Sequence, residues 1–292
     1  MRFSKFILFV ITPFLIYSCS APKVLTNAKT EAETYEAAGN YAAALAQWKS
    51  FVESTPIEQI EGADFAKAAK LAFKAGDSET AKSWFDQARY KNYADAEMYQ
   101  TLAEIYQSEG NLSKELSALE TYVEQNGSGN EKVNGRLFQL YAEISSWELA
   151  NQFWGKIGEK AQQNEDNLET YLEVNKKLEN DAKCDSVASA LLFVNPDQTD
   201  ALDWMAKKYY WAGQNRYETE MKKYEENKTR KQYTTLLKEL DLVTADFKKA
   251  LPYLEKLWEQ KPGKEYASYL ANIYARFGDE EKVDFYKKHM NQ

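Results

Sequence analysis

The chain has 292 residues, 44% of them hydrophobic and 28% charged, a balance that suits a folded, well-buried protein rather than a disordered one. A formal net charge of −8 argues against a nucleic-acid binder and against a generally basic membrane-facing surface. With only 12 glycines and 6 prolines, the chain has few places for tight turns, so long helices are favoured over many short strands.

The first element is the N-terminal stretch MRFSKFILFVITPFLIYSCS. Arg2 and Lys5 precede an apolar run from Phe6 to Tyr17, too short for a comfortable membrane span and shaped like a secretory signal. Its end, Ile16-Tyr17-Ser18-Cys19, resembles the lipobox of bacterial lipoproteins, with Tyr17 a less common choice at its place. That resemblance implies removal of residues 1–18, lipidation of Cys19 and a short linker over 19–25. An ordinary signal peptide or an uncut anchor is the alternative. Losing Arg2 and Lys5 would take the charge from −8 to −10. Cys184 is then the one remaining thiol and reads as a small apolar residue on a packed helix.

Downstream, one phrase recurs. LAEIYQSEG at Leu102–Gly110 and LANIYARFG at Leu270–Gly278 share Leu-Ala, Ile-Tyr, and a glycine four residues after the tyrosine. The same spacing joins Tyr35 to Gly39, Ala72 to Gly76 and Tyr209 to Gly213. Three further slots carry Ser or Ala instead: Tyr141–Ser145, Leu178–Ala182 and Asp241–Ala245. After the slots, apolar residues follow at helical steps of four and three. These are Ala44, Trp48 and Phe51; Ala81, Phe85 and Ala88; Ala150, Trp154 and Ile157; and Ala250, Leu254 and Leu257. Pro56, Pro196 and Pro262 mark unit ends. In the sixth unit the second helix reads as slipped, with Tyr217, Met221 and Tyr224 carrying its apolar stripe. The polar segment KKYEENKTRKQY then reads as a solvated helix face.

This pattern resembles the tetratricopeptide repeat, two antiparallel helices in about 34 residues. The resemblance implies an all-α, right-handed α-solenoid of about eight helix hairpins over residues 26–292, with units five and six (about 166–230) degenerate. In that family the first helices of successive units line a partner-binding groove. Carrying the register across places Glu97, Gln100, Glu104 and Gln107 of unit three in the groove. In unit six it places Asp203, Lys207, Tyr210 and Trp211 there, and in unit eight Asn272 and Arg276. Tyr209 is assigned to the core slot, leaving Tyr210 and Trp211 outward or in the groove, where rigid aromatics beside a lysine make frequent anchors.

Catalytic patterns are sparse. The single histidine, His289, lies near the end of the chain and cannot make a metal site by itself. Neither His-Glu-x-x-His nor Gly-x-Ser-x-Gly occurs. GSGNEK, from Gly127 to Lys132, lacks the phosphate-loop spacing and reads as a connection between units. No cofactor or metal is expected. The reading is a non-catalytic, membrane-anchored adaptor that binds protein or peptide partners in the bacterial cell envelope. The residues after Cys19, Ser20-Ala21-Pro22-Lys23, favour the periplasmic face of the outer membrane by analogy with bacterial sorting signals. A solute- or glycan-binding module using Trp211 and nearby tyrosines, and a glycan hydrolase using carboxylates alone, are the alternatives.

Overall fold

The structure, a computed structural model, describes residues 21–290, with side chains from Ala28 onward. The proposed signal peptide and Cys19 lie outside the described residues. The described chain divides into two compact units, one ending at Asn126 and the other beginning at Gly127.

The first unit holds three helix hairpins: α1 (Ala21–Ala37) with α2 (Tyr41–Ser54), α3 (Gly62–Lys74) with α4 (Ser78–Tyr90), and α5 (Ala96–Ser108) with α6 (Leu112–Asn126). Helix α1 takes in residues 21–25, which the sequence assigned to the linker. The second unit holds four hairpins: α7 (Glu131–Glu143) with α8 (Trp147–Trp154), α10 (Glu165–Lys177) with α11 (Asp181–Val194), α12 (Thr199–Glu226) with α13 (Arg230–Gln260), and α14 (Lys264–Phe277) with α15 (Glu280–His289). A four-residue helix, α9 (Glu159–Gln162), lies after α8. The fold is therefore all-α and of the tetratricopeptide type, as the repeat pattern implies.

The recurring phrase has a local cause. In six hairpins the first helix is followed by a residue with positive φ: Gly39 (72°), Gly76 (85°), Gly110 (68°), Ser145 (60°), Glu179 (53°) and Gly278 (75°). This left-handed residue lets the next amide turn back on the helix end. The Asn111 amide donates to the Tyr106 carbonyl at 2.9 Å and the Gly110 amide to the Gln107 carbonyl at 3.0 Å. The residue after the slot then starts the partner helix. The carboxylate or amide oxygens of Asn40, Asp77, Asn111, Asn180 and Asp279 each accept a backbone N–H three residues on. One turn thus ends a helix and caps the next.

One slot falls elsewhere than the sequence reading put it, and two lie inside helices. In the fifth unit the left-handed residue is Glu179, so the slot is Asn175–Glu179 rather than Leu178–Ala182; Asn180 caps α11. Gly213 is not a turn at all. It lies within α12, which runs 28 residues against 13 for α3, α5, α7 and α10. Asp241–Ala245 likewise lies inside the 31-residue α13. Units six and seven are consequently fused into one long hairpin, and Tyr217, Met221 and Tyr224 continue α12 rather than forming a second helix. The physical reason is that each slot holds only half of the turn. Gly213 is followed by Gln214, a weaker cap than Asn or Asp, and Asp246 is preceded by Ala245, a strong helix former that resists the left-handed region. The lack of a side chain at Gly213 serves packing instead. A Cβ there would come within 2.9 Å of the Phe247 ring and 3.3 Å of the Val243 carbonyl oxygen of α13.

The predicted stripes are core. Ala44, Trp48, Phe51, Ala81, Phe85, Ala88, Ala150, Ile157, Ala250, Leu254 and Leu257 are buried, and Trp154 is half-buried, stacked on Tyr171 of α10 at 4.0 Å. Helices α2, α11 and α13 end just ahead of Pro56, Pro196 and Pro262, with Thr55, Asn195 and Lys261 as their C-caps. Cys184 is fully buried on α11, and burial pushes its thiol up to about 11. The GSGNEK segment joins α6 to α7, with Asn130 capping α7.

Candidate functional site

In the first unit, the outward face of α5 meets that of α3. Lys70 of α3 reaches Glu97 (2.8 Å) and Asp95 (3.3 Å). Asp95 also caps α5 by accepting from the Met98 amide at 2.7 Å. Burial works against the Lys70 ammonium, yet Glu97 and Asp95 outweigh it and raise its pKa. Burial also works against the Asp95 carboxylate, and the Met98 amide and Lys70 outweigh it, so its pKa falls. Glu97 therefore ties two successive first helices together. Gln100 is half-buried, and Glu104 and Gln107 are exposed on the same helix.

In the second unit, the residues assigned from units six and eight converge on the seam between α12 and α14. Lys207 of α12 lies 3.0 Å from Asp203 and 3.0 Å from Glu265 of α14. Burial disfavours its charge, but the two carboxylates reverse that and raise its pKa. Tyr266 donates to Asp203 at 3.3 Å; burial and that carboxylate push its phenol up to about 12. The Asn272 amide of α14 donates to the Tyr210 hydroxyl at 2.6 Å and to Gln214 at 3.2 Å. Arg276 donates to the Leu240 carbonyl at 3.0 Å and lies over the Tyr217 ring, so it fastens α14 to the long hairpin.

The two tyrosines do not keep the roles assigned to them: Tyr210 is the buried ring, and Tyr209 packs only partly buried against the core. Tyr210 is buried, stacked on Phe247 at 5.5 Å and tilted against Tyr269 at 4.4 Å. Tyr209 is half-buried and lies flat beside Tyr253 of α13, with Lys208 and Lys249 over its ring. The fused hairpin is the cause: α13 covers α12 along its whole length, so the Tyr210 side faces both α13 and α14. Trp211 remains 45% exposed, edge-on to Tyr210 and Tyr269.

Trp211 opens onto a cleft of about 510 Å³ between α11 and α12, lined also by Trp204, Asp181, Asp185, Asp203, Lys207 and Lys208. The Trp204 indole donates to Asp185 at 3.0 Å, and Lys208 pairs with Asp185 at 2.7 Å. A second cleft, about 680 Å³, runs between α7, α10 and the start of α12 and holds Trp147, Asp166, Glu169, Glu173 and Asp200. Burial, then the charges of Asp200, Asp166 and Glu165, raise the pKa of Glu169. The sequence reading named Asp203, Lys207 and Trp211 of the first cleft but neither Trp204 nor the carboxylates Asp181 and Asp185 across it, and it named none of the second. Asp166, Glu169 and Glu173 stand three and four residues apart on α10, a spacing that marks one helix face. Asn180 directly follows the slot at which α10 turns into α11, and so locates Asp181 and Asp185.

His289 of α15 packs beside Trp258 of α13 and Phe285 of its own helix. Among the described residues, no group of three or more His, Cys, Asp or Glu side chains is placed to hold a metal ion.

No protein-family model matches the chain, and no curated protein matches it. Solved structures resemble it in fold. A candidate protein-binding protein from Bacteroides ovatus is 21% identical, with a TM-score of 0.49, over 76% of this chain and 100% of that one. YrrB, described as a TPR protein with an unusual peptide-binding site, is 15% identical, with a TM-score of 0.49, over 63% of this chain and 96% of that one. A tetratricopeptide repeat protein from Parabacteroides merdae is 13% identical, with a TM-score of 0.47, over 92% of this chain and 93% of that one.

Proposed function

We propose that the protein is a non-catalytic adaptor, held at a membrane of the bacterial cell envelope by lipid on Cys19, that binds a protein or peptide partner through the outward faces of its helix hairpins. The observation that carries this reading is the surface around Trp211. A half-exposed indole stands at the edge of the α12–α14 seam and over the α11–α12 cleft, fixed by Tyr210 and Tyr269 behind it. Rigid aromatics backed by a packed core and rimmed by charges are the usual anchors of polypeptide interfaces, because little side-chain entropy is lost on binding. The lipobox-like Ile16–Cys19 and the neutral-to-basic residues after it support an outer-membrane anchor facing the periplasm.

The test is affinity capture from crosslinked native membranes with a C-terminal tag, comparing the wild type with Cys19→Ala and Trp211→Ala. A recurring protein partner, lost with the anchor and weakened by Trp211→Ala, supports the adaptor. A membrane-bound protein with no partner counts against it. The paired tryptophans of the α11–α12 cleft, Trp204 and Trp211, favour solute or glycan binding as the second reading. Quenching of tryptophan fluorescence by a ligand, abolished by Trp211→Ala, would establish that one instead.

A further inference from the structure

Beyond Tyr217, which Arg276 of α14 covers, the long hairpin becomes an arm. Helix α12 continues over residues 218–226 to Glu226 and α13 returns from Arg230, a length of about 14 Å. The ten residues at its tip, KKYEENKTRK (222–231), hold five cations and two carboxylates. The tip is thus +3 in a chain of −8, which leaves −11 for the rest (−8 − 3). Lys223 is held by Glu220 at 2.6 Å. Lys228, Arg230 and Lys231 are exposed, and among the described residues no carboxylate lies within salt-bridge distance of them. Beside these cations, the Tyr224 and Tyr233 rings meet at 5.7 Å. Tyr233 and Leu237 are each about half exposed. Apolar surface with a charged rim is the anatomy of a protein contact.

The same unit carries the opposite charge in the 680 Å³ cleft between α7, α10 and α12. Five carboxylates and one lysine, Lys176, line it. Arg136 neutralises Glu143 at 3.0 Å and Lys177 neutralises Glu173 at 3.2 Å. Asp166, Glu169 and Asp200 have no such cation among the described residues. Asp166 and Asp200 stand in the first turns of α10 and α12, where the helix dipole lets the fold tolerate them. That placement does not supply the missing counter-charge.

We infer that the basic tip of the arm of one copy seats in the acidic cleft of a second copy. Three cations without a carboxylate partner meet three carboxylates without a cationic one, and the cleft has the size of a pocket that takes a few side chains. The contact is heterologous: tip and cleft are different surfaces, so each bound copy keeps one of each free. Association then propagates into a ring or a chain rather than ending at a two-fold dimer. This goes beyond the adaptor reading and does not depend on it, since a chain that captures no partner can still associate with itself.

The experiment is sedimentation velocity of the full-length chain in a mild detergent, over a range of concentrations. The average mass should rise with concentration at about 50 mM salt and fall back towards the monomer at about 500 mM, because the contact is ionic and solvent-screened. K228E/R230E/K231E and E169K/D200K should each weaken association at least about tenfold. Mixed in equal amounts, the two variants should associate again, since the unaltered tip of the second fits the unaltered cleft of the first and the acidic tip of the first fits the basic cleft of the second. A wild type that stays monomeric throughout, or a mixture no better than its separate components, overturns the proposal. Should E169K/D200K fold poorly, K228Q/R230Q/K231Q alters exposed side chains alone; association as strong as wild type in that variant also overturns it. So does a chain that binds phosphatidylglycerol vesicles through the tip while its own sedimentation is unchanged.

Discussion

Replacing Gly110 with valine isolates the backbone cost of the repeat turn. Gly110 has φ of +68°, and a Cβ built on it meets no atom within 4 Å. The Cβ itself therefore meets no packing penalty, and the cost that remains at that atom is conformational. A left-handed L-residue costs about 1–2 kcal/mol, and a β-branched one lies towards about 3 kcal/mol. Two hydrogen bonds hang on that conformation, from Gly110 to Gln107 and from Asn111 to Tyr106, and with them the cap that Asn111 gives to the Lys114 amide. The expected order of stability is wild type, then Gly110→Asn, Gly110→Ala and Gly110→Val, because asparagine tolerates the left-handed region best. Urea unfolding gives the magnitude, and amide exchange localises the loss. Repeat arrays open in parts, so protection should fall first in α5 and α6. If Gly110→Val unfolds at the same urea concentration as the wild type, or if all three variants are equally damaging, the cost does not come from the φ angle and the assigned register is wrong.

The converse holds where a side chain occupies that conformation: Glu179→Gly, at φ of 53°, should stabilise the second unit by up to about 1 kcal/mol in the same urea assay. Gly213→Ala should destabilise by about 1–2 kcal/mol despite the better helix propensity of alanine, because the new methyl would overlap the buried Phe247 ring; a gain in stability would mean the helices do not approach there. Glu169→Gln should raise stability slightly at neutral pH. The folded-state pKa of Glu169 is raised, so its penalty is present at neutral pH and disappears as pH falls through that raised value. The difference between variant and wild type should therefore shrink in acid, and it should stay below about 1 kcal/mol because the group is mostly solvated. Cys184, buried with its thiol pushed up to about 11, should resist alkylation at pH 8 until denaturant is added, as mass spectrometry of the labelled chain would register.

The repeat was legible because its turn is written in two adjacent positions. One accepts the left-handed region, and the next caps the following helix in every such turn but that of Ser145, where Ser146 makes no side-chain cap. Reading only the first misplaced the fifth slot: Glu179 looks nothing like glycine, yet Asn180 behind it is the same capping residue as Asn40 and Asn111. The same omission made Gly213 look like a turn. Glycine is what a tight turn requires, but it is also what a close helix crossing requires, and the letter alone cannot separate them. The next residue helps: five of the six turns carry Asn or Asp there, whereas Gly213 is followed by Gln214 and the helix continues.

From that continuation follows most of what the sequence hid about the site. A register drawn on separate units puts Tyr209 inside and Tyr210 outside. When α12 and α13 run on as one hairpin, α13 lies along the face that a neighbouring second helix would have left partly open, and Tyr210 becomes the buried ring between Phe247 and Tyr269. Trp211 keeps its exposure because it lies on the α11 side of the same turn of helix. The register implied by the tetratricopeptide resemblance put Asp203, Lys207 and Asn272 at outward positions of first helices, and the structure brings them to one seam. The orientation of an aromatic pair depends on how many helices surround it. The missing turn at Gly213 both creates the arm and buries Tyr210. A variant that completes both half-turns, Gln214→Asn with Ala245→Gly, should therefore break the hairpin and expose Tyr210 to solvent. Its hydroxyl ionisation, raised by burial in the native chain, would then move back towards that of a free tyrosine. If Tyr210 kept its buried signature while α12 broke, the continuity of α12 would not be what buries it.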